Sequence, residues 1–129
     1  MFGFVLVSHS RKLAEGAKEL GLMMAPDVPV RAAGGLPDGS LGTDYETIRA
    51  AIEEVSLPGV EAVLIITDMG SSVMTAEMVV EDRGDLLPKA VMVDCPFAEG
   101  TVAAMVAASL GEDLETVIQS ANESRGRII

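Results

Sequence analysis

The chain of 129 residues is 49% hydrophobic but only 3% aromatic, and 20 acidic against 9 basic side chains leave a formal net charge of −11. That length suits a single domain over residues 1–129 with a core of Val, Leu, Ile, Ala and Met; the charge excludes nucleic acid and anionic membrane as partners and suits docking on a basic protein surface. One cysteine, Cys95, excludes an internal disulfide, and beside a single histidine it leaves no conventional zinc site, so no metal is expected; with no secretory leader and no apolar run of about 18 residues visible, the expected location is the cytoplasm.

Phe2 to Val7 is an apolar run followed at once by Ser8, His9 and Ser10. This reads as a buried strand running into a helix N-terminus. Helix one is expected over 10–24, with Leu13, Ala17, Leu20 and Met24 at helical spacing and Pro26 ending it. Residues 28–33 form a weak strand, placed at a sheet edge because Pro29 cannot donate to a ladder. Residues 34–42, with four glycines, a proline and a serine, read as a long loop on the active face. Thr43-Asp44-Tyr45-Glu46 fits a capping box with Thr43 as N-cap, opening helix two over 44–55.

Val60 to Thr67 is the second strong strand, apolar on both faces as a central parallel strand should be. Asp68-Met69-Gly70-Ser71-Ser72 ends it and leads to helix three over 72–82. Strand four spans 90–95, Pro96 opens helix four through Ser109, and helix five covers 112–122. Val102 to Ala108 is unbroken apolar, so helix four is either buried on more than one side or faces another subunit. The tail 123–129, ending Ile128-Ile129, is either frayed or a short added edge strand. Cys95, Met23, Met24, Met74 and Met78 read as core, and Glu99 as a first-turn acid favoured by the helix dipole.

Alternating strands and helices predict an α/β three-layer sandwich with a central parallel four-stranded sheet. Right-handed crossovers and an edge position for strand two give the order 2-1-3-4. The switch point then falls between strands one and three, which end in His9 and in Asp68 to Ser72. A carboxylate bonded to one ring nitrogen fixes the tautomer and frees the other as a nucleophile. Ser71 and the amides that start helix three can bind phosphate oxygens. Read blandly, His9 closes a strand against a backbone carbonyl, Asp68 is an N-cap and Ser71 a turn residue; convergence at the switch point weighs toward function. The glycines of 34–42 match neither a Walker loop nor a dinucleotide fingerprint.

Val7-Ser8-His9-Ser10 with Leu13-Ala14-Glu15-Gly16, Gly42-Thr43-Asp44, Asp68-Met69-Gly70-Ser71 and Pro96 with Glu99-Gly100-Thr101 together resemble one family. It is the DhaM family, the phosphotransfer subunits of phosphoenolpyruvate-dependent dihydroxyacetone kinases, whose domain is similar to the IIA domain of mannose-type sugar phosphotransferase systems. The resemblance implies a phosphotransferase in which His9 takes phosphate on Nε2 from the phosphocarrier HPr. It implies delivery to ADP, with Mg²⁺, on a separate nucleotide-binding kinase subunit, DhaL, with no cofactor on this chain. Asp68 would orient the histidine, and Ser10, Gly70 and Ser71 would contact phosphate. Some family members carry fused HPr-like and enzyme I-like domains; this chain is expected to draw its phosphate from outside, and to form a homodimer. The alternatives are a mannose-type IIA domain serving a sugar-specific IIB domain, and a non-catalytic ligand-binding or regulatory domain on the same fold.

Overall fold

A computed structural model describes residues 1–126. Four parallel strands, β1 (Phe2–Ser8), β2 (Val30–Gly34), β3 (Ala62–Thr67) and β4 (Lys89–Val93), lie in the order β2-β1-β3-β4. Five helices connect or follow them: α1 (Arg11–Met24), α2 (Tyr45–Val55), α3 (Gly70–Arg83), α4 (Phe97–Ser109) and α5 (Leu114–Glu123). The expected sheet order and layering are present.

The alternation of β1 and β3 divides the core in two. Phe2, Phe4, Leu6, Leu64 and Ile66 face Met105, Ala104 and Val117 of α4 and α5, while Val5, Val7, Val63 and Ile65 face Ile48, Ile52 and Val79 of α2 and α3. A strand with both faces covered needs apolar side chains at every position, which is why both central strands read as continuous apolar runs. Parallel register pairs Val7 with Thr67. One step further, Ser8, the last residue of β1, and Asp68, just past β3, lie side by side, and the Asp68 amide donates to the Val7 carbonyl at 3.0 Å.

Several local expectations are corrected. Asp44, not Thr43, caps α2: its carboxylate accepts the Thr47 amide at 2.9 Å and the Thr47 hydroxyl at 2.7 Å, while Thr43 Oγ1 turns to Thr75 Oγ1 at 3.1 Å. Helix α3 starts two residues early, at Gly70. On α1 the inward residues are Ala14, Ala17 and Gly21, whereas Leu13, Leu20 and Met24 stay exposed. Close approach of α1 to α4 selects the small stripe, since a Cβ on Gly21 would fall within van der Waals overlap of Met105 Sδ. Met23, Met74 and Met78 are also exposed rather than core. Ser124–Gly126 form a 3₁₀ turn after α5, and the rest of the expected terminal edge strand lies outside the described residues.

Candidate functional site at the ends of β1 and β3

His9 and Asp68 follow directly on the two central strands, and the side chains meet. His9 Nδ1 lies 3.1 Å from Asp68 Oδ1 and 3.2 Å from Oδ2. The carboxylate side chain is only 5% exposed and the imidazole 28%, so the ring bridges the interior and the solvent.

Asp68 is surrounded by donors. Besides the ring, its Oδ2 accepts the Ser8 hydroxyl and the His9 amide, both at 3.0 Å, and its Oδ1 accepts the Met69 amide at 2.7 Å and lies 2.7 Å from Ser72 Oγ. Burial alone works against ionisation of this carboxyl. The bonds from Ser72, the His9 amide, Ser8 and the His9 ring outweigh it and hold the group below its ordinary value of 3.8. An ionised carboxylate only accepts, so the ring nitrogen facing it carries the proton. Nδ1 is therefore N–H, and Nε2 keeps its lone pair.

Nε2 faces away from the protein and, among the described residues, meets one group, the hydroxyl of Ser71 in the first turn of α3. Ser71 is exposed, as is Gly70, whose amide is the first of α3 and has no partner inside the helix. Ser10 caps α1: its Oγ accepts the Leu13 amide at 3.2 Å, and its own amide donates to Ser8 Oγ at 2.9 Å. Thus His9, Asp68 and Ser71 come together as expected, Gly70 adjoins them, and Ser10 lies one residue from the histidine with a capping bond of its own.

The loop between β2 and α2 is tied beneath the site. The Gly35 amide donates to the Ser8 carbonyl at 3.1 Å and the Gly42 amide to the His9 carbonyl at 2.9 Å. Two residues given no role by the sequence reading, Ser8 and Ser72, are fully buried and reach Asp68. Cys95 takes no part: burial and nearby Asp94 push its thiol up to about 11, so it stays protonated at neutral pH. Among the described residues no group of three metal-ligating side chains occurs.

Comparison with known proteins gives a consistent picture. A family model described as PTS system fructose IIA component, EIIA-man, matches residues 3–118. The phosphoryl donor subunit DhaM of PEP-dependent dihydroxyacetone kinase from Escherichia coli (strain K12) is 36% identical over 123 residues, covering 92% of this chain and 26% of its own length. A phosphoryl donor subunit DhaM of PEP-dependent dihydroxyacetone kinase 2 from Listeria innocua is 35% identical over 121 residues, covering 92% of this chain and 95% of its own length. The chain thus spans about a quarter of the first relative and nearly all of the second. The crystal structure of a protein of unknown function, EF1359, matches with a TM-score of 0.83 at 31% identity, over 94% of this chain and 92% of that one.

Proposed function

The chain belongs to the EIIA-man family of PTS system IIA components, and on that premise we propose that it is the phosphohistidine carrier of a phosphoenolpyruvate-dependent dihydroxyacetone kinase. His9 accepts phosphate from HPr and passes it to ADP held with Mg²⁺ on a nucleotide-binding subunit, DhaL. The observation that carries this reading is the donor-saturated Asp68 behind His9, which leaves Nε2 as the one unprotonated, outward-facing ring nitrogen.

The chemistry is a displacement at phosphorus. The Nε2 lone pair forms an N–P bond while the donor's P–N bond breaks and its electron pair returns to the donor nitrogen. In the second step a terminal phosphate oxygen of ADP forms the new P–O bond and the pair of the N–P bond returns to Nε2. Asp68 stays ionised throughout and compensates the positive charge that the substituted ring acquires. Ser71 turns its hydroxyl from Nε2 to a phosphoryl oxygen, with the Gly70 amide and the Ser10 hydroxyl as further donors. Little besides alignment is asked of the chain, since phosphoryl transfer is governed by positioning and charge. Cations for the nucleotide come from the partner, in keeping with the chain's net charge of −11.

The role is that of a phosphotransferase subunit acting in the cytoplasm. No helix among the described residues is long and apolar enough to cross a membrane. We assign the homodimer contact to the face shared by α1 and α4, where Leu20 of α1, Val102, Ala103 and Val106 of α4 and Leu110 just after it line an open groove of about 630 Å³. A two-fold contact would cover this apolar surface symmetrically.

The family description, a fructose IIA component, favours one second reading: delivery to a sugar-specific IIB domain. Phosphorylated protein is mixed with either DhaL carrying Mg²⁺-ADP or a mannose-type IIB domain. Label moving to ADP only in the presence of DhaL is expected. Label moving to the IIB domain and not to ADP would replace the kinase reading by the sugar-transport one.

A further inference from the structure

Asp68 offers about four lone-pair positions and five donors reach it, one of them the His9 ring. Two donors are backbone amides, those of His9 and Met69, whose places follow from the ends of β1 and β3. The other two donors are buried hydroxyls, Ser8 on Oδ2 and Ser72, whose single proton is shared between Oδ1 and the Met69 carbonyl. Both side chains are 0% exposed, so neither is a surface turn residue and neither can exchange its bond for one to water.

The proton of Ser8 is directed. Its oxygen accepts the Ser10 amide at 2.9 Å, and the hydroxyl then points to Asp68 Oδ2 at 3.0 Å. Ser72 Oγ lies 2.7 Å from Asp68 Oδ1 and 2.6 Å from the Met69 carbonyl, and its single proton serves one acceptor at a time. Without these hydroxyls the carboxylate would keep one amide on each oxygen and could turn away from the ring, or pick up a proton and present O–H to it. Either change lets the imidazole exchange its Nδ1–H tautomer for the Nε2–H form, which has no lone pair on the outer nitrogen.

We propose that Ser8 and Ser72 are positioning residues that act through Asp68, clamping its carboxylate from both sides so that His9 is held as the Nδ1–H tautomer. The inference rests on the reading of Nε2 as the nucleophile, but its main readout does not require phosphate transfer. Their place resembles that of the outer partners that orient metal-bound histidines, where loss of one partner costs about 10–100-fold.

The test uses Ser8→Ala, Ser72→Ala and the double variant, with Ser8→Cys and Ser72→Cys beside them. Cysteine keeps the buried volume but donates weakly, so it separates lost packing from a lost hydrogen bond. Ring ¹⁵N chemical shifts of His9 near neutral pH read the tautomer directly, and HPr-dependent phosphate uptake reads the rate. Wild type should show a single Nδ1–H form. The Ala and Cys variants alike should show a tautomer mixture, and each single variant should lose about tenfold in uptake. Variants that keep a single tautomer and wild-type uptake would overturn the clamp, as would Cys variants behaving as wild type while the Ala variants are impaired. Wild-type protein with the single tautomer but no uptake from HPr would instead reject the carrier reading and leave the clamp standing.

Discussion

The hydroxyl of Ser71 sits on Nε2 of His9, so the nitrogen we propose as the nucleophile is already hydrogen-bonded in the resting state. A neutral Nε2 can only accept, and Ser71 is therefore the donor. The bond must break before the lone pair reaches phosphorus, and the same hydroxyl is then free for a phosphoryl oxygen. Ser71→Ala removes both interactions. The bond to the anionic phosphoryl oxygen is the stronger of the two by about 1 kcal/mol, so its loss outweighs the other and slows uptake roughly fivefold. Single-turnover uptake from phosphorylated HPr measures it. His9→Gln, by contrast, should take up no acid-labile phosphate, and normal labelling of that variant would end the mechanism.

Asp68 gives a signed pH dependence. Burial opposes its charge, but Ser72, the His9 amide, Ser8 and the His9 ring hold its folded value below 3.8. A lowered acid binds its proton less well folded than unfolded, so the unfolded chain takes up protons first as pH falls. Its stabilisation is whole above 3.8 and is lost as pH drops through the folded value. Asp68→Asn should flatten that part of the acid limb when urea midpoints are followed from about pH 5 to about pH 2. Asp38 and Asp113, also lowered, are common to both proteins and cancel in the difference. An acid limb unchanged by Asp68→Asn would mean that these bonds contribute nothing to stability.

The positions of His9 and Asp68 were legible because the two strongest strand signals run into them, and a parallel sheet gathers the carboxyl ends of its strands on one edge. Ser8 and Ser72 were not. Each sits next to a residue with a more conspicuous role, and a serine at a strand end or in a first helical turn looks like local capping. Ser8 becomes readable only when the Val7–Thr67 pairing is extended by one residue, which requires the register as well as the order of the strands. The inward face of α1 was missed for a different reason. Apolar periodicity gives weight to Leu and Met, but the contact with α4 selects for small volume, so Ala14 and Gly21 join the expected Ala17 inside. The methionines of α1 and α3 show the same ambiguity, because an unbranched apolar side chain fits a core and an exposed face alike.

Gly34 links the fold to the site. It ends β2 against the first turn of α1, where a Cβ would lie 2.5 Å from the Ser10 carbonyl oxygen, 2.8 Å from Ala14 Cβ and 2.8 Å from Arg11 Cα. Two of these three neighbours are backbone, so the contact cannot be relieved by a rotamer change. Gly34→Ala must push the start of α1 away from the sheet, and Ser10 and His9 move with it. Overpacking of this kind costs about 1–3 kcal/mol. Phosphate uptake should fall as well, because Ser10 holds Ser8 and Ser8 holds Asp68. Gly16→Ala is the matched control: its Cβ would meet nothing within 4 Å, and in mid-helix it should add about 0.5–1 kcal/mol while leaving uptake unchanged. Denaturant unfolding and single-turnover uptake on both variants give the four numbers needed. If Gly34→Ala lost stability but kept wild-type uptake, the start of α1 would be free to shift without disturbing His9, and the coupling through Ser10 and Ser8 would be wrong.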